Sequence, residues 1–202
     1  MINLRRMPPP RTELRLTEVE TLRVMAHPLR MRILGSLRVD GPATSATLAR
    51  RLGTDSGQTS HHLRLLARYG FITEAPELGK GPRGRERWWK AASDTTRWSD
   101  TVDGQQAGAA AAIRAIENAA YRVWDDLVDT YRDQVERDEW SPRWRAAAGS
   151  GDTVVRLDPE RLTALREELD AVIDRYDLGE TPADDAETVV VVLQAYPRRV
   201  PR

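Results

Sequence analysis

The most distinctive side chains of this sequence lie in residues 55–72, DSGQTSHHLRLLARYGFI. If this segment is a helix, Leu63 and Leu66 share an apolar face, and most of the polar and basic side chains lie opposite. Small polar side chains early in such a helix can approach base edges in a major groove, while later arginines reach phosphates. We therefore predict a DNA-binding face formed by Ser56, Gln58, Thr59, Ser60, His61, Arg64 and Arg68.

A second group of cations follows this segment. The strand-forming runs FITEA (71–75) and RERWWKA (85–91) flank the Gly-rich stretch PELGKGPRGR, which predicts a β-hairpin with a basic tip. Trp88 and Trp89 alternate faces on the second strand, so we expect one to be buried and the other to be exposed. Four hairpin side chains are expected to reach the DNA backbone or a minor groove: Lys80, Arg83, Arg85 and Arg87.

Local signals predict the helices that precede these groups. Residues 1–16 contain three consecutive prolines and are predicted to be flexible. Thr17 and Glu20 have the spacing of a capping box, which predicts a helix from Thr17 to about His27. Pro28 suits the first turn of a second helix, whose leucines and isoleucine share one face.

The next two helices are short and closely spaced. Thr44 or Ser45 can cap the third helix, and Gly53 is expected to end it in a left-handed conformation. The fourth helix is predicted from about Ser56 to Tyr69. Two short helices joined by about four residues are typical of a helix-turn-helix, and the basic hairpin that follows lies where a wing would be.

The charge distribution supports the same interpretation. The net charge is zero, yet residues 1–92 carry 17 Lys and Arg against 8 Asp and Glu, while residues 93–202 carry 14 against 23. A basic half favours a polyanionic partner. An ordinary solvated helix is the alternative for residues 56–69 taken alone, but the turn, the hairpin and the charge together disfavour it.

Three segments of the basic half resemble the winged-helix regulators of the ArsR type: AHPLRMRILGSL (26–37), TLARRLG (47–53) and TSHHLRLLARYGFI (59–72). The resemblance covers about residues 17–92. It implies a dimeric DNA-binding transcription regulator, commonly a repressor, and it makes Gln58, Ser60, His61 and Arg64 the first candidates for DNA contacts.

The sequence departs from the metal-sensing members of that group. It contains no cysteine, and all three histidines (His27, His61 and His62) lie within residues 17–92. Because zinc usually requires thiolate or imidazole ligands, we expect no metal site and no cofactor. His27, before Pro28, is expected to be a cap or a packed side chain. No nucleophile–base constellation or phosphate-binding loop is evident, so we do not expect an enzyme.

The second half begins with a long amphipathic helix. It is predicted from about Gly104 to Arg137, after a linker at residues 93–103. Its apolar stripe fits either packing on the chain's own DNA-binding domain or pairing with a second protomer, and we favour the homodimer. Six aromatic residues in this region are candidates for a small-molecule effector pocket or for a dimer interface: Trp98, Tyr121, Trp124, Tyr131, Trp140 and Trp144.

A small C-terminal unit is predicted after the junction GSGD at residues 149–152. TVVRL (153–157) and ETVVVVLQAYP (187–197) are predicted strands, on either side of a helix capped by Asp158. The buried face of that helix is expected to contain Leu162, Leu165, Leu169, Val172 and Tyr176. Since two strands rarely form a stable sheet alone, they would need a third strand from elsewhere or from a partner chain.

Together these features predict an α+β, mostly helical protein. Its parts are a flexible arm (1–16), a winged helix-turn-helix domain (17–92), a helical dimerisation segment (93–148) and a small α/β unit (149–202). No apolar run is long enough to span a membrane, and we expect a cytoplasmic regulator that binds an inverted repeat in double-stranded DNA. A sequence-tolerant architectural DNA-binding protein and a winged-helix protein-interaction module are the alternatives.

Overall fold

A computed structural model describes residues 11–81, 84–98, 108–177 and 185–199. Its first half contains helices α1 (Val19–Met25), α2 (Pro28–Val39), α3 (Ser45–Leu52) and α4 (Ser56–Arg68). Leucines and other aliphatic side chains from all four helices form one buried core with Phe71 and Trp89. The mostly helical α+β architecture predicted from the sequence is therefore confirmed.

Most helix ends follow local side-chain chemistry. The Thr44 hydroxyl caps α3 by accepting a hydrogen bond from the Thr47 N–H, and Gly53 ends that helix with a φ of 64°. The predicted capping box at the start of α1 is wrong, because the helix begins at Val19 and the carboxylate of Glu20 accepts a hydrogen bond from the Tyr69 hydroxyl instead. The preceding chain is a strand through the buried Leu16, and this delays the start of the helix.

The wing is built on a three-stranded sheet. Strands β2 (Ala43–Thr44) and β3 (Ile72–Glu74) both pair antiparallel with β6 (Trp88–Ala91). Strands β4 (Lys80–Gly81) and β5 (Gly84–Arg85) extend the β3–β6 hairpin, after a 3₁₀ turn at Pro76–Leu78. Trp89 is buried in the core, as the alternation on the strand predicted, whereas Trp88 is half-buried rather than exposed.

The domain extends beyond residues 17–92 on both sides. Strand β1 (Glu13–Leu16) pairs in parallel with β7 (Thr95–Trp98). The expectation of flexibility is therefore wrong for residues 13–16, and the expectation of a linker is wrong for residues 95–98. The pairing joins segments about 80 residues apart, so no local pattern of hydrophobic residues reveals it.

The side chain of Arg38 holds this small sheet to α2. Its Nε donates to the Ser93 carbonyl at 2.8 Å, and its Nη2 donates to the hydroxyls of Ser93 and Thr96 at 3.1 and 2.8 Å. Burial lowers the pKa of Arg38 to about 10, and the nearby Asp94 carboxylate partly opposes that shift. Arg38 is therefore a half-buried cation whose Nε and Nη2 donate to the chain leading into β7.

Helix α5 (Ala109–Glu136) divides into two halves with different surroundings. In the first half, Ala109, Ala112, Ile113, Ile116, Ala119 and Ala120 are buried, and they pack on α1 and α2 of the same chain. In the second half, Leu127 and Val128 are 41% and 39% exposed. The apolar stripe is thus buried within the chain up to Ala120 and only partly covered beyond it.

The C-terminal region contains α6 (Pro142–Ala147) and α7 (Pro159–Tyr176). Asp158 caps α7 through the Arg161 N–H, as predicted. The two predicted strands are wrong for this chain: residues 153–157 and 187–197 have no regular secondary structure. The predicted burial of the apolar face of α7 is also wrong, because no residue of that helix is buried. The physical reason is shared, since strands need a paired neighbour and an apolar helix face needs a second layer.

No helix in the described ranges combines the length and the apolar character that crossing a bilayer requires.

We expect Arg38→Met to lower the free energy of unfolding by about 1–3 kcal/mol, because it leaves a buried carbonyl and hydroxyl without their donor. Urea denaturation followed by circular dichroism measures this loss. Arg32→Met is the matched control, since exposed Arg32 makes a single hydrogen bond, to the Leu52 carbonyl. Equal midpoints for the two variants would contradict the role given to Arg38.

Candidate nucleic-acid interface

Helix α4 is fixed at its N-terminus by four polar contacts. Asp55 Oδ1 accepts a hydrogen bond from the Gln58 N–H at 2.8 Å, and the hydroxyl of Thr59 donates to the Asp55 carbonyl at 2.8 Å. The hydroxyl of Ser45, at the start of α3, donates to the carbonyl of Ser56 at 2.8 Å, and Thr54 donates to Gln58 Oε1 at 2.6 Å. The starts of α3 and α4 are therefore held side by side.

The burial of α4 defines its outer face. Thr59, His62, Leu63 and Leu66 are buried, and all lie toward the core. Of the residues predicted to contact DNA, five are exposed and Ser60 is half-buried: Ser56, Gln58, His61, Arg64 and Arg68 are the exposed ones. Arg64 Nη1 donates to the Ser60 hydroxyl at 3.1 Å, so these two side chains form one polar patch one helical turn deep.

Thr59 does not belong to this face. Its side chain is fully buried, and its hydroxyl is used within the first turn of α4. The prediction that Thr59 contacts DNA is therefore corrected, because helical spacing places it with Leu63 and Leu66 rather than with Ser60 and Arg64. We call the remaining six residues the α4 face: Ser56, Gln58, Ser60, His61, Arg64 and Arg68.

An open cleft of about 430 Å³ lies beside the α4 face. The first residues of α3 and α4 form one wall, and the base of the wing forms the other. Two helix N-termini therefore open onto one cleft, and the partial positive charge of both favours an anion there. The lining residues are Thr44, Ser45, Ala46, Ser56, Gly57, Ser60, Arg64, Glu86, Arg87 and Trp89.

The wing residues are only partly brought to the cleft. Arg87 lines it, with its guanidinium 5.7 Å from the centre of the Trp89 ring and 3.2 Å from Glu74 Oε1. Lys80 and Arg85 are paired partners on β4 and β5, so the backbone puts both at the same level of the hairpin. Arg83 lies outside the described residues. Gly79 allows the hairpin to close, because a Cβ there would come within 2.5 Å of the Glu86 carbonyl oxygen.

Sequence reasoning missed three residues of the cleft: Ser45, Ala46 and Glu86. Ser45 and Ala46 lie at the start of α3, whereas the DNA contacts were predicted only on α4 and the hairpin. Glu86 is an acidic residue inside a basic run, and its place in the cleft follows from the wing strand on which it lies. The predicted cap at Thr44 located the start of α3, and Thr44 lines the cleft together with Ser45 and Ala46.

The three histidines form a cluster in which His61 belongs to the α4 face and His27 and His62 lie behind it. The rings of His27 and His62 lie 4.6 Å apart, and those of His61 and His62 lie 5.6 Å apart. His27 caps α2 by accepting a hydrogen bond from the Leu29 N–H, as the sequence predicted. Nδ1 of His62 is buried without a hydrogen-bond partner among the described residues. Across those residues, no three His, Asp or Glu side chains come together as metal ligands.

Both inner histidines resist protonation. Burial lowers the pKa of His27, and the nearby positive charge of Arg30 lowers it further. Burial likewise lowers the pKa of His62, with added effects from His27, Arg30 and His61. A proton on either ring would therefore be unfavourable in the folded state.

The six aromatic candidates fall into two groups. Trp98, Tyr121 and Trp124 are in ring contact, with the planes of the two tryptophans nearly parallel at 6.5 Å. The other group contains Tyr131 of α5, Trp144 of α6 and Trp140, which lies between these two helices. Trp140 and Trp144 line an open cleft of about 360 Å³ with Gln134, Glu139, Ser141, Asp185 and Glu187.

Comparison with known proteins bears on residues 25–75. These residues match the family model described as a helix-turn-helix domain. This chain therefore contains a helix-turn-helix domain, a type of domain that commonly binds DNA in transcription regulators. No curated protein matches the chain. Among solved structures, one described as disulfide-formed AbfR is 18% identical, with a TM-score of 0.27 over 53% of this chain and 70% of that one.

The two inner histidines, His27 and His62, make the folding stability of the helix-turn-helix domain depend on pH. Because the pKa values of His27 and His62 lie below their ordinary value of 6.5, the folded protein binds fewer protons than the unfolded chain below that pH. Stability is then fully present above about pH 6.5 and falls as the pH is lowered through the folded-state pKa values. Thermal melts from pH 8 to pH 5 measure this decline.

Substitution distinguishes the buried ring from the exposed one. His62→Leu is expected to flatten the decline in melting temperature, whereas His61→Ala leaves it nearly unchanged because that ring is exposed. A decline of the same size in His62→Leu as in the unaltered protein would place the acid sensitivity elsewhere.

Proposed function

We propose that this protein is a sequence-specific transcription regulator that binds an inverted repeat in double-stranded DNA as a homodimer. The α4 face enters the major groove, and the wing contacts the flanking backbone. Its action is repression by occupancy of an operator. The proposal involves no metal, no cofactor and no catalytic step.

The observation that carries this proposal is the cleft shared by α3, α4 and the wing. Two helix N-termini, the Ser60 hydroxyl and the Arg64 guanidinium line one open surface. Backbone N–H groups at helix N-termini and arginine are the usual ligands of DNA phosphates, and they orient a recognition helix on the duplex. Glu86 lies in the same cleft, where a carboxylate repels phosphate but can accept a hydrogen bond from a cytosine amino group.

Base reading is assigned to the leading half of α4. Gln58 is exposed at the first turn, and Thr54 holds its side-chain oxygen at 2.6 Å. This hydrogen bond engages only the amide oxygen, so the amide nitrogen of Gln58 is available to donate to an acceptor on a base edge. His61 is exposed one turn further along, and Arg68 follows on the same face at the end of the helix.

The C-terminal half is proposed to supply the dimer contact and the site of regulation. The two protomers of a dimer place their recognition helices in successive major grooves, which requires the paired half-sites of an inverted repeat. The cleft at Trp140 and Trp144 offers aromatic rings beside Glu139, Asp185 and Glu187, a combination that suits a cationic organic effector.

The sequence-tolerant architectural protein is the alternative that the cationic wing also fits. Such a protein binds through phosphates alone, so its affinity for any one sequence exceeds its non-specific affinity only slightly. A regulator shows a ratio of about 10³ or more at physiological salt.

Selection of genomic fragments by the purified protein at about 150 mM salt separates these functions. We expect enrichment of a short inverted repeat, and we expect Gln58→Ala to relax the consensus at one position of each half-site, at a cost of about 1–3 kcal/mol. Arg68→Ala is the control, because a phosphate contact carries no sequence information. Retention of DNA without a consensus would favour the architectural protein, and no retention at low salt would exclude DNA as the partner.

Arg64→Ala should weaken binding to all DNA sequences and lower the slope of log K against log salt by about one unit. Fluorescence anisotropy from 50 to 300 mM salt measures this slope. The matched control is Arg132→Ala, an exposed arginine on the outer half of α5 that pairs with Asp129. An unchanged slope in Arg64→Ala would remove this residue from the interface.

A further inference from the structure

The C-terminal region exposes more apolar surface than an isolated chain usually tolerates. Twelve of the large apolar side chains that are at least 36% exposed lie between residues 154 and 196. We call this set the C-terminal apolar surface: Val154, Val155, Leu157, Leu165, Leu169, Tyr176, Val189, Val190, Val191, Val192, Leu193 and Tyr196. The summed exposed area of these side chains is on the order of 1,000 Å² per chain.

The position of α7 directs its part of this surface away from the chain. Arg97 binds Asp170 at 2.5 Å, and Arg11 binds Asp174 and Asp177 at 3.3 and 3.0 Å. These ion pairs tie one side of the helix to the β1–β7 sheet. Leu162, Leu165, Leu169, Val172 and Tyr176 follow a three–four spacing on another side of the helix, away from these carboxylates.

The segment 187–196 runs beside the outer half of α5. Near its start, Glu187 lines the cleft with Trp144, and near its end the Tyr196 hydroxyl lies 3.3 Å from that of Tyr121. Side-chain exposure alternates along the segment. Val189, Val191 and Leu193 are 63%, 55% and 50% exposed, whereas Val190 and Val192 are 42% and 38% exposed. Alternation with a period of two is typical of a strand with one face toward its own chain and the other toward a partner.

Two strand-forming stretches have backbone groups that are not used in a sheet. Residues 153–157 and 187–195 make no backbone hydrogen bond to any other described residue. Their N–H and C=O groups can therefore pair with a strand from another chain.

We propose that a second copy of this chain covers the C-terminal apolar surface, with the 187–196 segments of the two copies paired as neighbouring β-strands. Two copies supply four strand-forming segments and two α7 helices, which is enough for a stable sheet with one covered face. The exposed area matches the roughly 800 Å² that each partner buries in a standard interface. The inference rests on the proposed dimeric regulator and names the surface that joins its protomers.

The mass of the full chain in solution tests this interface. We expect a species of twice the 22.8 kDa chain mass by sedimentation velocity at tens of micromolar protein. Val189→Lys with Val191→Lys should give a folded monomer, because charges on the outward face cannot be buried in a pair of strands. Val39→Lys with Leu78→Lys is the matched control, since these residues are 46% and 45% exposed outside the surface, and it should stay dimeric. A monomeric unaltered protein, or a dimeric Val189→Lys/Val191→Lys variant, would overturn the inference.

Cross-linking tests the pairing of the strands separately. The chain contains no cysteine, so Val189→Cys, Val191→Cys and Leu193→Cys each introduce a single thiol. Antiparallel pairing about a two-fold axis brings at least one of these thiols close to its own copy, and mild oxidation then gives a covalent dimer. Val39→Cys should stay monomeric on denaturing gels. Failure of all three positions to cross-link would exclude this pairing.

DNA binding separates this inference from the proposed function. The monomeric lysine variant should bind an inverted repeat at least about tenfold more weakly than the unaltered protein, with unchanged binding to a single half-site. Dimerisation through this surface without any DNA binding would overturn the proposed function alone. Dimeric binding to DNA that the lysine substitutions do not affect would overturn this inference alone.

Discussion

The burial of one side of α4 is the constraint on which the arrangement of the DNA-binding half depends. Thr59, Leu63 and Leu66 are fully buried, so the helix cannot rotate about its axis without bringing apolar side chains into water. This fixes Ser60, Arg64 and Arg68 on the opposite side. The polar contacts at the helix start then set its position along the axis, because Asp55 caps the first turn and Ser45 holds that turn against the start of α3. Orientation comes from hydrophobic burial, and axial position comes from caps.

The buried His62 is a destabilising element in this packing. A neutral His62 occupies a place in the core that an aliphatic side chain could fill, and its Nδ1 lies buried without a partner in the described structure. Such a group costs free energy, and a proton would raise that cost because His27 and Arg30 are close. Helix α4 is therefore packed against a part of the core that is sensitive to acid.

The sequence predicted the features that depend on neighbouring residues and missed those that depend on distant ones. The Thr44 cap, the Gly53 stop and the limits of α4 are local, and the structure confirms them. The parallel β1–β7 pair and the packing of Ala112 and Ile116 on α1 and α2 involve distant residues, and periodicity does not identify the partner. Thr59 was predicted to contact DNA as a polar residue early in the helix, but its side chain is buried and its hydroxyl donates to the Asp55 carbonyl. The C-terminal strands were predicted from composition, which indicates a tendency to pair but not the partner.

The continuity of α5 has a mechanical consequence. Its first half is embedded in the DNA-binding half, and the remaining sixteen residues, from Tyr121 to Glu136, project as one uninterrupted helix. At about 1.5 Å per residue this projection is roughly 24 Å long, so a tilt of about 10° at its base displaces the far end by about 4 Å. A small tilt at the base of the helix therefore becomes a larger displacement at its far end. A displacement near Tyr131 is therefore transmitted to α1 and α2, on which the first half of α5 packs.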